Sequence, residues 1–357
     1  MLHAAALLIL LPADVQAAAA GKLQIYFIDV EGGQSTLVVT PAGETLLIDA
    51  GWAGEGGLES TSRSTPSEAA KARDPGRIVA ALRDAGRDRI DYLLVTHFHR
   101  DHIGGIPELA QLVPVTTFID HGSAYPPSQR VATGRESLEA AAFDAYAATR
   151  AGGRHLQPKP GDRLPLRNID VRVVSADRAT LHRSMSGAGG ANPACRSSAL
   201  PSGDELGQNP RSTGIVLRFG EFRFLDLGDL SGQPLFNLIC PSNRIGVVDV
   251  YLVAHHGAAD AADPATLAAF RPRVAVVNNA PRKGGQLPTL QMLRSAREVD
   301  SWQLHVADGA GEDNAPLDRI ANLDDASAHW LKITASADGS FELLNQRTGA
   351  SKSYGAR

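Results

Sequence analysis

The segment Val95–Gly105, "VTHFHRDHIGG", concentrates side chains that can bind a metal ion. His97, His99, Asp101 and His102 lie within six residues, after the apolar run "DYLLV" and before a glycine pair. The first two histidines can point the same way at the end of an extended strand, and the other two residues continue round the turn. Imidazole and carboxylate groups together suit Zn²⁺ or a similar divalent ion. Four such groups would be expensive to bury without a metal or mutual pairing, so the cluster predicts a metal site.

The residues before this cluster predict the elements that position it. Between Leu23 and Ala50, short β-rich runs alternate with the turn signals "EGG" and "PAG", which predicts a three-stranded meander. The text "DPGRIVAALRDAG" predicts a helix with Asp74 as N-cap, Pro75 at the first helical position and Gly86 as the C-terminal stop. The strand "DYLLV" follows and ends where the histidines begin.

Beyond the cluster, strands and helices continue to alternate. Predicted helices are "IGGIPELAQLV", "ESLEAAAFDAYAATR" and "LPTLQMLRSA"; predicted strands are "VTTFID", "IDVRVVSAD", "TGIVLRFG", "EFRFLDLGD", "VVDVYLVAHHG", "PRVAVVNN", "SWQLHV", "AHWLKITASAD" and "SFELLNQR". The Gly/Ser/Pro/Asn-rich stretch Asp177–Arg211 is too long for an ordinary connection and predicts a lid or binding loop. No repeat or linker divides the chain, so one mixed α/β domain is predicted over residues 21–357, including a C-terminal extension.

The first twenty residues have the pattern of a secretory signal peptide. A short apolar run is followed by small residues, with Ala18 and Ala20 or Val15 and Ala17 at the paired positions before cleavage. We therefore expect residues 1–20 to be removed and the mature protein to be periplasmic or secreted. No other segment approaches the apolar length of a membrane span, so no transmembrane anchor is expected.

Composition excludes several classes of protein. An apolar content of 43% over 357 residues is enough for a real buried core, and a net charge of -4 gives no field that would hold a polyanion. The two cysteines, Cys195 and Cys240, are predicted to form a disulfide in an exported protein, with two free buried thiols as the alternative.

Four motifs in the same order resemble the metallo-beta-lactamase superfamily, from about Leu23 to Ser301. They are "LLIDAG" with Asp49, "THFHRDH", "FLDLGD" with Asp229, and "VAHHG" with His255. The resemblance implies a four-layer αββα sandwich of the α/β class, in which helices cover two sheets and the metals lie where strand ends meet.

The resemblance also implies the role of each site residue. Two zinc ions are expected, with manganese possible, and a hydroxide between them would be the nucleophile. The implied ligands are His97 and His99 for one metal, Asp101, His102 and His255 for the other, and Asp229 for both. Asp49 would orient a ligand histidine. Asp101, His256 and His121 are the predicted catalytic residues; for His256, contact with the metal ligands, contact with substrate and ordinary hydrogen bonding all remain open.

The third motif departs from the family pattern. Asn209, in "QNPRSTGIVL", stands where most two-metal members carry a histidine. This asparagine, together with "FIDVEGGQS" and "HHG", is most similar to the hydrolase domain of the DNA-uptake competence proteins. Asn209 is either a weaker metal ligand or a turn residue before a proline. Candidate replacements for the histidine are His121 and, with less support, His155 or His182.

The sequence of a loop in the C-terminal part of the chain helps to predict the substrate. Where the competence proteins read Gly-His-Pro, this chain has "RKGGQLPT", so extended nucleic acid is not expected. Arg282 and Lys283 beside the glycine pair could cradle a phosphate or a carboxylate. Arg211 and Asn279 are further predicted substrate contacts.

These features leave several functions open. The leading hypothesis is hydrolysis of a phosphodiester, such as a small nucleotide, a phospholipid headgroup or a wall-polymer substituent. The second is hydrolysis of a carboxylic ester, lactone or β-lactam, because one fold hosts both chemistries. A metal-containing binding module without turnover and redox or sulfur chemistry on a mononuclear iron are the remaining alternatives. The oligomeric state is not predicted.

Overall fold

The computed structural model describes residues 21–58, 60, 65–122, 135–198, 207–260 and 263–357. The predicted signal peptide lies outside the described residues. Within them, the strands form two sheets of nine strands each. None of the helices in this part of the chain is long and apolar enough to cross a membrane.

The strands are short and follow the predicted alternation. In chain order they are β1 (Leu23–Phe27), β2 (Thr36–Val39), β3 (Thr45–Ile48), β4 (Ile90–Leu94), β5 (Val115–Ile119), β6 (Arg154–Leu156), β7 (Arg163–Leu164), β8 (Asp170–Ala176), β9 (Ala179–Thr180), β10 (Gly214–Phe219), β11 (Phe222–Asp226), β12 (Val250–Leu252), β13 (Val274–Val277), β14 (Asp300–His305), β15 (Ile320–Asn322), β16 (Leu331–Ala335), β17 (Phe341–Asn345) and β18 (Ser351–Tyr354).

The helices lie between these strands. In chain order they are α1 (Pro66–Ala69), α2 (Arg73–Asp84), α3 (Arg100–Ile103), α4 (Ile106–Leu112), α5 (Arg135–Arg150), α6 (Gly232–Ile239), α7 (Pro264–Phe270) and α8 (Leu287–Ser295).

Each sheet combines antiparallel and parallel pairs. The first has the order β18-β17-β16-β1-β2-β3-β4-β5-β6. Its strands β1 to β3 form the predicted antiparallel meander, and β3 to β6 run parallel. The second has the order β15-β14-β13-β12-β11-β10-β8-β7, with β9 beside β8, and β11 to β15 run parallel. The C-terminal strands complete the first sheet, because β16 pairs with β1.

The alternation of side chains along β1 shows how the layers pack. Ile25 and Phe27 face the core between the sheets, where the rings of Phe27 and Phe224 lie 5.8 Å apart. Tyr26 points the other way and packs with Ile78 of α2 in the outer layer. A corresponding cluster joins the outer face of the second sheet to α6, α7 and α8. Complete burial of an aromatic or branched aliphatic side chain contributes about 1.5–3 kcal/mol. The predicted four-layer αββα sandwich is confirmed.

The start of α2 corrects one prediction. The helix begins at Arg73, and Ala72 takes the N-cap position. Asp74 is instead buried in the first turn, where its carboxylate accepts from the backbone N–H of Trp52 at 2.7 Å and from Nε of Arg73 at 2.6 Å. Because the carboxylate of Asp74 accepts from Trp52 and Arg73, it is not available to cap the helix. The predicted stop at Gly86 agrees with the end of the helix.

The predicted disulfide between Cys195 and Cys240 is present, with the two Cα atoms 5.8 Å apart. It ties the long segment Asp177–Arg211 to the end of α6. The described parts of that segment include β9 and two short 3₁₀ turns, and residues 199–206 lie outside the described residues. The role of this segment as a lid or binding loop stays a prediction.

Candidate metal centre

The candidate site lies where strand ends of the two sheets meet. In the first sheet, the parallel strands β3 and β4 end shortly before Asp49 and residues 97–102. In the second sheet, the parallel strands β11 and β12 end shortly before Asp229 and residues 255–256. Ligands of α/β sheets bind beyond the carboxyl ends of the strands, and the predicted ligands meet at this edge.

Four buried side chains form the larger of two ligand clusters. This cluster, the Asp101 group, contains Asp101, His102, Asp229 and His256. Nε2 of His256 lies 3.2 Å from Oδ2 of Asp101 and 3.3 Å from Oδ1 of Asp229. Nε2 of His102 lies 3.5 Å from Oδ2 of Asp101 and 3.2 Å from Oδ2 of Asp229. The ligand atoms lie within 4.8 Å of one another, a spacing compatible with the ligands of one tetrahedral ion.

A second cluster, the His97 group, contains His97, His99 and the same Asp229. Nε2 of His97 lies 2.9 Å from Nδ1 of His99 and 3.6 Å from Oδ2 of Asp229. A carboxylate has two oxygen acceptors, so one aspartate can serve both groups. The structure therefore brings the predicted ligands together in two groups that share a carboxylate; that they bind metal remains a prediction.

Asp49 holds one of the histidines in place. Its Oδ2 lies 2.7 Å from Nδ1 of His102 and accepts from Oγ1 of Thr96 at 2.7 Å. Its Oδ1 accepts from the backbone N–H of Thr96 at 2.8 Å. A carboxylate at Nδ1 directs Nε2 of the same ring toward the Asp101 group, as carboxylates do behind metal-bound histidines. The role predicted for Asp49, to orient a histidine that binds metal, stays a prediction.

Two glycines allow the strand ends to approach closely. A Cβ atom on Gly105 would lie 2.3 Å from the carbonyl oxygen of Ala50. Gly228 has φ +55°, and its Cβ would lie 2.7 Å from Cβ of Thr96. Only glycine fits both positions without displacement of the backbone around the ligands.

Opposite charges in the site shift one another's pKa. Burial alone would raise the pKa of Asp229, but the surrounding histidines hold it well below its usual value. Burial would also raise the pKa of Asp101, which Lys283 and His102 hold well below its usual value. Burial would lower the pKa of His102, yet Asp229, Asp101 and Asp49 raise it well above its ordinary value. The carboxylates thus create a negative potential, which favours a cation at this position.

Unpaired polar atoms provide a test of whether a metal fits here. Within the described residues, Nε2 of His102, Nε2 of His256 and Oδ1 of Asp229 are buried without a hydrogen-bond partner. Such an atom costs about 1–3 kcal/mol when it stays unpaired. All three belong to the Asp101 group and are of the types that bind zinc or manganese. The residues present therefore fit a divalent cation.

The structure corrects the assignment of His255 to the Asp101 group. His256 holds that position, while Nε2 of His255 lies 3.8 Å from Oδ2 of Asp229 and its Nδ1 lies 2.7 Å from Oδ1 of Asp260. The assignment chose His255 because it comes first after the strand. However, both histidines have a left-handed backbone, with φ 52° and 53°, so a tight turn directs the second histidine into the group.

Asn209 contacts His255 rather than either ligand group. It begins a short 3₁₀ turn, and its Nδ2 lies 3.1 Å from Nε2 of His255. Its Oδ1 is buried and has no hydrogen-bond partner in the described part of the chain. Asn209 thus lies beside His255, and direct metal binding by Asn209 stays a prediction.

The two adjacent basic residues of the late loop differ in position. Nζ of Lys283 contacts Oδ2 of Asp101 and lies 5.1 Å from the ring centroid of Trp52. The side chain of Arg282 is 80% exposed and pairs loosely with Asp308 at 3.9 Å. Of the two predicted substrate contacts, only Lys283 touches a residue of the ligand groups.

Two other predicted substrate contacts are engaged elsewhere. Asn279 is completely buried, and its Nδ2 donates to the carbonyl oxygens of Ala280 at 3.1 Å and His305 at 2.9 Å. It supports the loop, and contact of Asn279 with substrate stays a prediction. The guanidinium of Arg211 contacts the carboxylate of Asp177, so its charge already has a partner.

His121 does not line the cleft as predicted. Its ring is buried against Phe98, with centroids 4.2 Å apart, and it belongs to neither ligand group. Burial lowers its pKa to about 4. The other proposed replacements are also elsewhere: His155 pairs with Asp120 at 3.0 Å, and His182 is exposed.

A third cluster of possible metal ligands is paired with an arginine. Asp29, Glu31 and His305 lie close enough to suit a metal, but Nη1 of Arg77 lies 2.8 Å from Asp29 and 3.2 Å from Glu31. The guanidinium compensates the negative charge, so this cluster is a buried ion-pair network.

Two contacts of the site were not identified from the sequence. Thr96 directly precedes the first histidine of the cluster and supports Asp49. Asp260 lies five residues after His255, in "HHGAAD", and supports that ring. The sequence signal for Asp260 is an acidic residue shortly after a histidine pair. Such residues are common in loops without supporting a histidine, so the signal is weak.

Comparison with known proteins agrees with this geometry. Residues 28–175 match the model of the metallo-beta-lactamase superfamily. No curated protein is significantly similar to the chain.

Solved structures similar to the chain include a putative metal-dependent hydrolase from Parabacteroides distasonis, with 14% identity over 79% of this chain and 93% of that one and a TM-score of 0.41. CmlA, a diiron β-hydroxylase from Streptomyces venezuelae, is 13% identical over 79% of this chain and 53% of its own, with a TM-score of 0.40. This chain spans about half the length of CmlA. A diphosphatase of the PhnP family is 13% identical over 76% of this chain and 72% of its own, with a TM-score of 0.33.

The matched segment contains the motif His-x-His-x-Asp-His, whose side chains contribute to both ligand groups. Residues 28–175 of the chain are therefore similar to the metallo-beta-lactamase superfamily.

Proposed function

We propose that the chain is an exported hydrolase that cleaves phosphodiesters with two divalent cations, zinc in the first place and manganese as the alternative. The observation that carries the proposal is the shared carboxylate of Asp229. One of its oxygens lies 3.3 Å from His256 of the Asp101 group, and the other lies 3.6 Å from His97 of the His97 group. Two cations bridged by a carboxylate suit in-line displacement at phosphorus.

The residues divide between the cations as the two groups do. His97 and His99 would hold one cation, and Asp101, His102 and His256 the other, with Asp229 between them. Cations bound there would lower the pKa of a coordinated water toward neutrality and polarise the bond under attack.

Lys283 supplies a positive charge beside the Asp101 group. Its ammonium contacts Asp101 and lies over the ring of Trp52. Once Asp101 binds a cation, the ammonium is available to hold an anionic oxygen of the substrate, because a Lys side chain is flexible and carries three donors. This contact favours a phosphodiester over a neutral ester or lactone. It is also compatible with the carboxylate of a β-lactam, so the substrate must be tested directly.

Thr96 and Asp49 act behind the ligands. The hydroxyl and backbone N–H of Thr96 hold the carboxylate of Asp49, which in turn fixes the ring of His102. This arrangement reduces the movement of the ligand when the substrate arrives.

Two features support export. The apolar and small residues of positions 1–20 match the pattern of a signal peptide. The disulfide between Cys195 and Cys240 is of a kind that persists in oxidising compartments. The finer resemblance to competence proteins stays a prediction, and the substrate we propose is a small nucleotide, a headgroup or a wall-polymer substituent.

The proposal is tested with purified protein loaded with Zn²⁺ or Mn²⁺. We expect hydrolysis of bis-p-nitrophenyl phosphate that stops with a chelator and returns with the metal. A chromogenic lactone and a cephalosporin are assayed in parallel. Turnover of only the lactone or the cephalosporin would reverse the choice of substrate, and no turnover of any of the three by the metal-loaded protein would contradict hydrolysis of these bond types.

A further inference from the structure

The His97 group offers fewer ligands than the Asp101 group. It contains His97, His99 and Asp229, whereas the other contains four side chains. Zinc sites in proteins are mostly four-coordinate, and a catalytic site leaves one of these positions for water or substrate. An ion that shares the Asp229 carboxylate with its neighbour would be held more firmly by an additional imidazole.

His255 lies beside this group. Its Nε2 is 3.8 Å from Oδ2 of Asp229, the same oxygen that lies 3.6 Å from His97. Neighbouring ligands of a tetrahedral zinc ion lie about 3.3 Å apart, given bonds of about 2.0 Å. The imidazole would have to approach Asp229 by about half an ångström and also move toward His97 and His99, because it is not among the side chains whose ligand atoms lie within 4.8 Å of one another. The side chain is one-quarter exposed and has room to move.

Two contacts fix the tautomer of the His255 imidazole, although the amide of Asn209 must leave Nε2 before a metal can bind there. Nδ1 lies 2.7 Å from the carboxylate of Asp260, which accepts its proton in a hydrogen bond. Nε2 lies 3.1 Å from Nδ2 of Asn209, and an amide nitrogen can only donate. Both contacts require the tautomer that leaves the lone pair on Nε2. A carboxylate behind a histidine is the arrangement found at metal-bound imidazoles.

The backbone explains why two successive histidines can serve two metals. His255 and His256 both have positive φ, which is uncommon for residues other than glycine. In this turn the first ring lies nearest Oδ2 of Asp229 and the second nearest Oδ1. The tandem pair therefore lies across the carboxylate that joins the two groups.

We propose that His255 is a ligand of the metal in the His97 group, held in position by Asp260, so that the histidine pair is divided between the two metals and the amide of Asn209 gives up its hydrogen bond to Nε2 when the metal binds. The inference rests on the metal-binding part of the proposed function. It assigns the place of the missing third-motif histidine to His255, and not to His121, His155 or His182.

The experiment measures bound metal and affinity, without reference to turnover. Full-length mature protein is titrated with Co²⁺ and followed by absorption, and bound metal per chain is counted by plasma mass spectrometry. Variants are His255→Asn, Asp260→Asn and His256→Asn, with His182→Asn as the matched control because that histidine is exposed and belongs to neither group. Asparagine is chosen because it tolerates a left-handed backbone.

We expect two ions in the wild-type chain and in the control. His255→Asn should retain one ion, and the other should bind at least 100-fold more weakly. Asp260→Asn should lower the affinity for the same ion about 10- to 100-fold, as the loss of a supporting contact does. His256→Asn should lower the affinity for the other ion, and its Co²⁺ spectrum should change in a different way from that of His255→Asn. The double variant His255→Asn with Asn209→His should recover part of the lost affinity, because it restores an imidazole next to the same position.

The outcomes separate this inference from the proposed function. Two tightly bound ions in both His255→Asn and Asp260→Asn would overturn the inference and leave the two-metal hydrolase intact. No metal in the wild-type chain would overturn both. Circular dichroism checks the fold of each variant, and if His255→Asn does not fold, Asp260→Asn decides: unchanged affinity for both ions overturns the inference.

Discussion

Nε2 of His256 lies 3.3 Å from Oδ1 of Asp229. This contact connects the end of β12 to the end of β11 at the centre of the candidate site. The second histidine of the pair thus completes the Asp101 group, although it is one residue further from the strand. The two sheets supply complementary parts of the site: the first contributes residues 97–102, and the second contributes the shared carboxylate and the histidine pair. The proposed metal binding consequently depends on the packing of the two sheets against each other.

Asp229→Asn should lower the affinity of the chain for both metals at once. An amide has one oxygen and no negative charge, so it cannot serve both ligand groups. We expect bound metal to fall from two ions per chain toward none at micromolar free metal, and hydrolysis to fall at least 100-fold. Asp308→Asn, which removes an exposed carboxylate, is the control for the change in net charge. Two tightly held ions in Asp229→Asn would show that the carboxylate does not bridge.

Lys283→Met and Arg282→Met should differ although the residues are adjacent. Removal of a charge-assisted hydrogen bond costs about 1.5–3 kcal/mol, so Lys283→Met should raise the KM for bis-p-nitrophenyl phosphate roughly 10- to 100-fold. Arg282→Met should leave the KM unchanged, because that side chain is 80% exposed. A neutral lactone, if it is a substrate, should show no such difference. Equal effects of the two variants would contradict a specific anion contact at Lys283.

His305 should make stability depend on pH in the alkaline range. Burial alone would lower its pKa, but hydrogen bonds to Asp29 and Glu31 raise it to about 9, above the value of about 6.5 in an unfolded chain. The stabilisation is therefore complete below pH 6.5 and is lost as the pH rises toward 9. The free energy of unfolding in urea should show that His305→Gln is less stable than the wild type at pH 6, and that the difference shrinks by pH 10. A constant difference would contradict the titration.

The disulfide should stabilise the segment around Cys195. It closes a loop with a sequence separation of 45, for which the loss of chain entropy in the unfolded state corresponds to about 4 kcal/mol. Replacement of both cysteines by alanine should lower the free energy of unfolding by up to this amount. A reductant should destabilise the wild type and leave the double variant unaffected. If the reductant has the same effect on both proteins, the bond does not contribute.

The sequence was sufficient for the features that depend on local pattern. The motif around His97 and Asp101, the meander before it and the pairing of Cys195 with Cys240 follow from spacing, turn residues and composition. The roles of His255 and His256 could not be separated, because they depend on two left-handed residues that only the folded turn imposes.

Other contacts join distant parts of the chain and were not predicted. The carbonyl of His305 accepts from the side chain of Asn279 after the loop folds back. Asp74 has the position of a helix cap, but the turn at Trp52 uses its carboxylate. Such partners lie more than twenty residues away and leave no local pattern that a sequence reading can detect.

The number of divalent ions bound per chain tests the central claim most directly. Mature protein is equilibrated with a small excess of Zn²⁺, separated from free metal and analysed by plasma mass spectrometry. The account predicts two ions per chain, because the Asp101 and His97 groups share Asp229 but have separate histidines. One ion or none in folded protein would contradict a two-metal centre.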